Sequence, residues 1–243
     1  MDRWRNRVAL VTGASMGIGE SLCKLLVSHG MKVAACARSL EKLSKIESEL
    51  SSKDSYLPIK CDLRKKEEIM NMFKQIKDKW GGVDVCINNA GLALDSPIID
   101  GDTDQWENMW EVCDIEQLES MWEVHNVFQV NVMALCLCTR ESVKSMRERN
   151  VDDGHVININ SLSGHRVGKM HFYSATKYAV TSLTEGIRWE LRGINSHIRV
   201  TSISPGLVKT NFAYTLLGKE GAEECYSSRQ VSEMMIRPTE QVV

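Results

Sequence analysis

The chain has 243 residues, of which 43% are hydrophobic, with a formal net charge of −2 and a pI near 6.3. That length suits one large α/β domain over residues 1–243, and the near-neutral charge excludes the broad basic field that gathers nucleic acid or anionic lipid. No run of about 18 apolar residues offers a membrane span, and the opening Met1-Asp2-Arg3-Trp4-Arg5 lacks the apolar core of a secretory leader, so a cytoplasmic protein is expected.

In chain order, Val8–Thr12 is a short apolar run that ends in glycines, as a buried strand does. Thr12-Gly13-Ala14-Ser15-Met16-Gly17-Ile18-Gly19 follows, and residues 18–28 carry apolar side chains at helical spacing up to Gly30. In a strand–turn–helix of this kind Gly13 permits the tight turn. Gly17 lets backbone approach a pyrophosphate, and Gly19 lets the helix pack close, its N-terminus toward the phosphates. A glycine set alone is a weak signal; its place at the head of a strand–helix–strand pattern strengthens it. The second strand, Lys32–Ala37, runs into Arg38-Ser39. NAD sites usually carry an acid there for the ribose 2′-hydroxyl. Arg38, with Ser39 beside it, suits a 2′-phosphate instead, so NADP(H) is expected; the alternative is a solvated arginine at a helix start.

Helix then spans residues 40–50, strand Tyr56–Lys60, helix 67–79 and strand 83–88. Later come a strand at 155–160, a helix at 174–192 and a strand at 199–203. The alternation implies an α/β fold, a doubly wound parallel sheet of Rossmann type. Ligands bind such sheets beyond the carboxyl ends of the strands. The eight cysteines form no C-x-x-C pair and mostly sit in apolar runs, so they read as buried thiols in a reducing compartment. No metal site is expected, since His165 and His171 lack a third ligand.

The segments Thr12–Gly19, Asn88-Asn89-Ala90-Gly91, Tyr173-Ser174-Ala175-Thr176-Lys177 and Pro205-Gly206 together resemble the short-chain dehydrogenase/reductase family. Residues 148–155, 163–167 and 237–241 look like the branch that includes insect farnesol dehydrogenases. The resemblance implies that Tyr173 exchanges the proton and that Lys177, one helical turn on, lowers the phenol's pKa and holds the nicotinamide ribose. It further implies that Ser161 bonds the substrate oxygen and Asn131 supports a relay water. Cofactor contacts would come from Gly13, Ser15, Gly17, Ile18, Gly19, Arg38, Ser39, Asp62 at the adenine with Leu63, Asn88, Asn89, Ala90 and Gly91. Pro205, Gly206, Val208 and Thr210 would meet the nicotinamide end. The implied substrate is a small lipophilic alcohol or carbonyl, such as a steroid, a farnesol-like alcohol or another ketone or aldehyde, and homo-oligomers are usual in the family.

Three features depart from that pattern. Gln105-Trp106-Glu107-Asn108-Met109-Trp110-Glu111-Val112 is echoed twelve residues later by Gln117-Leu118-Glu119-Ser120-Met121-Trp122-Glu123-Val124, with six of eight positions identical. An inserted repeat within 105–130, forming an extra helical segment, is therefore expected, and either Asn131 or Cys113 takes the asparagine's place, Asn131 being preferred by register. The interval from Ser161 to Tyr173 is short, and the C-terminus, 207–243, reads as a shortened lid and sheet edge. The leading reading is an NADP(H)-dependent alcohol dehydrogenase or carbonyl reductase. The rival is a catalytically impaired nucleotide-binding, or poorly folded, variant of such an enzyme.

Overall fold

The computed structural model describes residues 1–93, 126–168, 170–227 and 234–237. The repeat at 105–124 and Cys113 lie outside the described residues.

β1 (Val8–Thr12) is buried along its whole length, with Val8 and Leu10 in one apolar cluster and Ala9 and Val11 in the other. A strand apolar on both faces belongs in the middle of a sheet covered on both sides. It pairs in parallel with β2 (Lys32–Ala37) and β4 (Val85–Asn88). The sheet order is β3-β2-β1-β4-β5-β6-β7, with β3 (Tyr56–Lys60), β5 (His155–Ile159), β6 (Arg199–Pro205) and β7 (Met234–Arg237). β3 is the outer strand at one end, with Pro58 opposite Ala35. Strands β1 to β6 are parallel, as the alternating sequence pattern requires.

One face is covered by α1 (Gly17–Ser28) and α2 (Leu40–Glu49) through Cys23, Leu26, Leu43 and Ile46. The other is covered by α3 (Lys66–Trp80), α4 (Ala134–Glu148) and α5 (His171–Gly193) through Ile69, Met72, Ile76, Cys138, Met146 and Leu191. A π-helical turn, Gln129–Met133, leads into α4. The strand order reverses between β1 and β4, which opens a crevice at their carboxyl ends.

The last strand departs from a wholly parallel sheet, because β7 is antiparallel to β6, with Met234 opposite Pro205 and Arg237 opposite Ser202. The reason lies in α6 (Asn211–Ser227), which breaks at Gly218 (φ 69°) and doubles back, bringing Tyr226 against residues 208–210. The chain therefore re-enters the sheet from the end at which β6 left it. Along β6, Val200, Ser202 and Ser204 are buried, while Arg199, Thr201 and Ile203 on the other face are half-buried.

Candidate active site

The glycine turn is locked by two residues of a distant segment. Thr12 Oγ1 accepts from the backbone N–H of Asn89 and of Ala90, both at 3.0 Å. Asn89 Nδ2 donates back to Thr12 O and Gly13 O at 2.9 and 3.1 Å. A Cβ on Gly13 (φ +64°) would stand 2.7 Å from Ala90 Cα, and one on Gly19 would stand 2.4 Å from Gly13 O. Only glycine permits this closeness. The turn presents the first turn of α1 at the crevice, with Ser15 and Ile18 half-buried beside it. The sequence reading gave Asn88 and Asn89 to the cofactor. The Asn89 side chain shapes the turn. Asn88 is buried and donates to Thr139 Oγ1 and Asn158 Oδ1 at 3.0 and 2.9 Å.

Across the crevice, α5 brings Tyr173 and Lys177 to one face, one turn apart. Ser161, just past the end of β5, caps a short 3-10 turn by accepting from Ser163 N at 3.1 Å, and its side chain lies near enough to the Tyr173 hydroxyl to favour the ionised phenol. The short interval between them therefore still lets serine and tyrosine meet. Lys177 Nζ lies 5.6 Å from the Tyr173 ring centroid and donates to Ile159 O at 2.9 Å. An ammonium has three donors, and this bond uses one of them. A Cβ on Gly91 would stand 3.8 Å from Lys177 Nζ and 3.6 Å from Asn131 Oδ1, so the open Gly91 backbone, the ammonium and the carboxamide share one corner. That donor set suits a ribose diol.

Asn131 sits in the π-helical turn, 2% exposed. Its Oδ1 accepts from Leu92 N at 2.8 Å, and its Nδ2 donates to Leu92 O and Thr176 Oγ1 at 2.9 and 3.0 Å. Thr176 Oγ1 donates in turn to Tyr173 O at 2.8 Å. The sequence reading missed Thr176, the Ile159 carbonyl and the π-turn. A threonine immediately before the lysine was the available signal; a backbone carbonyl has none.

Burial dominates the electrostatics. It pushes the Tyr173 phenol above its ordinary value, with only the Ser161 hydrogen bond pulling the other way. It lowers Lys177 to about 8. Burial thus sets the direction of the phenol's shift, against the lowering that the resemblance implies for Lys177.

At the outer end of the crevice Arg38 is exposed, while Ser39 caps α2 by accepting from Lys42 N at 3.4 Å. Asp62 is gripped by Arg64, whose Nε reaches Oδ1 and Oδ2 at 2.9 and 3.1 Å. That hydrogen bonding holds the carboxyl below its usual range. Leu63 is buried, and it lines a small internal cavity with Thr12, Asn88 and Ala90. Pro205 pairs with Met234, Gly206 is half-buried, and Val208, Lys209 and Thr210 line a cleft of ≈ 360 Å³ with Gly17, Ile18, Ser21, Leu22 and Leu25. Phe212, on the first turn of α6, lies against Tyr173 with ring centroids 5.8 Å apart.

Residues 7–220 match the family model described as short chain dehydrogenase. Dehydrogenase/reductase SDR family member 11 of Gallus gallus is 47% identical over 272 aligned residues, covering 100% of both chains. Farnesol dehydrogenase of Aedes aegypti is 39% identical, covering 97% of this chain and 91% of that one. A serine dehydrogenase solved in a closed form with NADP+ superposes with a TM-score of 0.77 at 29% identity, over 92% of this chain and 82% of that one. The fold, the glycine turn and these likenesses agree: the chain belongs to the short-chain dehydrogenase family, oxidoreductases that use a nicotinamide cofactor.

Proposed function

We propose that the chain is an NADP(H)-dependent alcohol dehydrogenase or carbonyl reductase acting on a lipophilic alcohol or carbonyl. The observation that carries this reading is the meeting of Ser161, Tyr173 and Lys177 beside Gly91, across the crevice from the glycine turn. The Aedes aegypti farnesol dehydrogenase supports a farnesol-like substrate, and the Phe212 ring beside Tyr173 gives that substrate an apolar wall. NADP(H) is favoured over NAD(H) by the exposed Arg38 at the end of β2, where no acid stands.

A bound nicotinamide supplies the hydride. The Tyr173 hydroxyl gives its proton to the substrate oxygen in reduction and recovers it in oxidation, while Ser161 holds that oxygen by a hydrogen bond. Lys177 keeps two N–H donors for a ribose. Asn131, tied to Leu92 and Thr176, fixes the corner in which these groups meet. A homo-oligomer and a reducing, cytoplasmic setting belong to the same proposal. They are supported by Trp189, 73% exposed on α5, and by six free cysteines among the described residues.

A second reading, nucleotide binding without turnover, is favoured by the reversed β7 and by an alignment that spans 272 positions against 243 residues here. Both are tested by following thermal unfolding with NADPH or NADH and then assaying farnesol oxidation with NADP+. The first reading expects a cooperative transition raised more by NADPH than by NADH, loss of that preference in Arg38→Asp, and measurable turnover. Stabilisation without turnover selects the second, and no nucleotide effect sinks both.

A further inference from the structure

The segment 208–210 lies directly on the glycine turn. A Cβ at Gly17 would stand 3.2 Å from Thr210 Cβ and 3.4 Å from its Cγ2. This contact is maintained from the far limb of α6. There the Tyr226 hydroxyl shares its proton between Val208 O at 3.2 Å and Thr210 O at 3.1 Å, and accepts from Thr210 N at 3.2 Å. Its ring is flanked by Tyr214, centroids 5.9 Å apart, and by Lys209 Nζ at 6.0 Å. The break at Gly218 is what lets residue 226 return to residue 208. One side chain therefore satisfies both carbonyls and the amide of a short irregular segment that would otherwise depend on water.

We infer that Tyr226 is a positioning residue for the cofactor: it clasps 208–210 onto the glycine turn, so that Val208 and Thr210 are already in place when the nucleotide binds. The inference rests on the reading that the glycine turn holds the cofactor's phosphates. Tyr226 touches neither cofactor nor substrate and acts through the segment it holds. A pre-ordered segment loses less freedom on binding, so the clasp appears in nucleotide affinity and in the rate of nucleotide release.

Tyr226→Phe keeps the ring and removes all three hydrogen bonds. NADPH affinity, read by quenching of tryptophan fluorescence, is expected to fall roughly three- to tenfold, mostly through faster release. Thermal unfolding without nucleotide should barely move. In a second readout, trypsin should cut after the exposed Lys209 several-fold faster in Tyr226→Phe than in the wild type, with no nucleotide present. In the unaltered chain, hydrogen exchange should show the Thr210 amide protected relative to that of Lys209. Unchanged NADPH affinity in Tyr226→Phe overturns the inference even if trypsin cuts faster, since the clasp would then be structural only. Equal exchange at 209 and 210 overturns the clasp itself. Failure of the wild type to bind NADPH overturns the parent reading, and the cofactor role of Tyr226 with it.

Discussion

Tyr173 and Lys177 sit almost out of water, 8% and 4% exposed, and burial drives both toward their neutral forms. For the phenol that means a higher pKa, for the ammonium a lower one. The hydroxyl therefore holds its proton at neutral pH, and Ser161 is the one group that favours its ionised form. Tyr173→Phe deletes the transferable proton and keeps the ring that meets Phe212. Turnover of farnesol is expected to fall by about 10²–10⁴, while NADPH affinity stays within about twofold of the wild type. Retention of half the turnover would remove Tyr173 from the chemistry. The spacing of Tyr173, Lys177 and Ser161 was legible in the sequence because helix periodicity and a strand end dictate where those side chains go. Depth was not. Four residues of helix say that lysine and tyrosine are neighbours, but they do not say that Ile159 O captures the ammonium.

The elements are tied beneath the site by buried amides. Asn88 on β4 donates to Asn158 on β5 and to Thr139 on α4, and Asn158 Nδ2 donates to Thr184 Oγ1 on α5 at 3.0 Å. Four elements thus share one polar ladder, in which Asn158 is fully buried. Such a group stabilises only while its partners are met. Asn158→Ala orphans the Asn88 donor and leaves a void, so a loss of about 2–4 kcal/mol is expected in urea unfolding. A change below about 0.5 kcal/mol would mean that water or Thr139 replaces the bond without cost. Alternating apolar runs made the strands and helices readable, with β1, β2 and β3 bounded at Val8–Thr12, Lys32–Ala37 and Tyr56–Lys60 as the sequence suggests. The ladder was not readable, because asparagines at a strand end look the same whether they meet a ligand or one another. The reversal of β7 was hidden too. It depends on α6 folding back at Gly218, a long-range consequence of where Tyr226 finds its partners.

At the scale of the molecule, two basic groups, half-buried His155 and buried Lys177, shape stability against pH. His155 is packed on Trp4 near Arg3 and Arg199, bonds Thr201 Oγ1, and is lowered to about 4, first by desolvation and then by those arginines. Its folded value lies below the unfolded 6.5, so the unfolded chain binds more protons between those limits. Stability must therefore fall as pH drops from about 6.5 to about 4. Lys177 has the same sign at the other end: between about 8 and 10.5 the unfolded chain again binds more protons, so this group's contribution rises with pH. Urea midpoints measured from pH 4 to 7 should decline toward acid in the wild type and flatten in His155→Gln, whose amide can still reach Thr201. An unchanged slope in the variant would assign the acid loss to the carboxylates instead.

Pro58 sits within β3, the outer strand of the sheet, in a stretch of only five residues. An outer strand offers its free N–H and C=O groups to any passing extended chain, and proline deletes one donor from that row. A stray strand, from another molecule or from an unfolding neighbour, would find its hydrogen-bond pattern interrupted there. This border is thereby guarded against runaway strand addition.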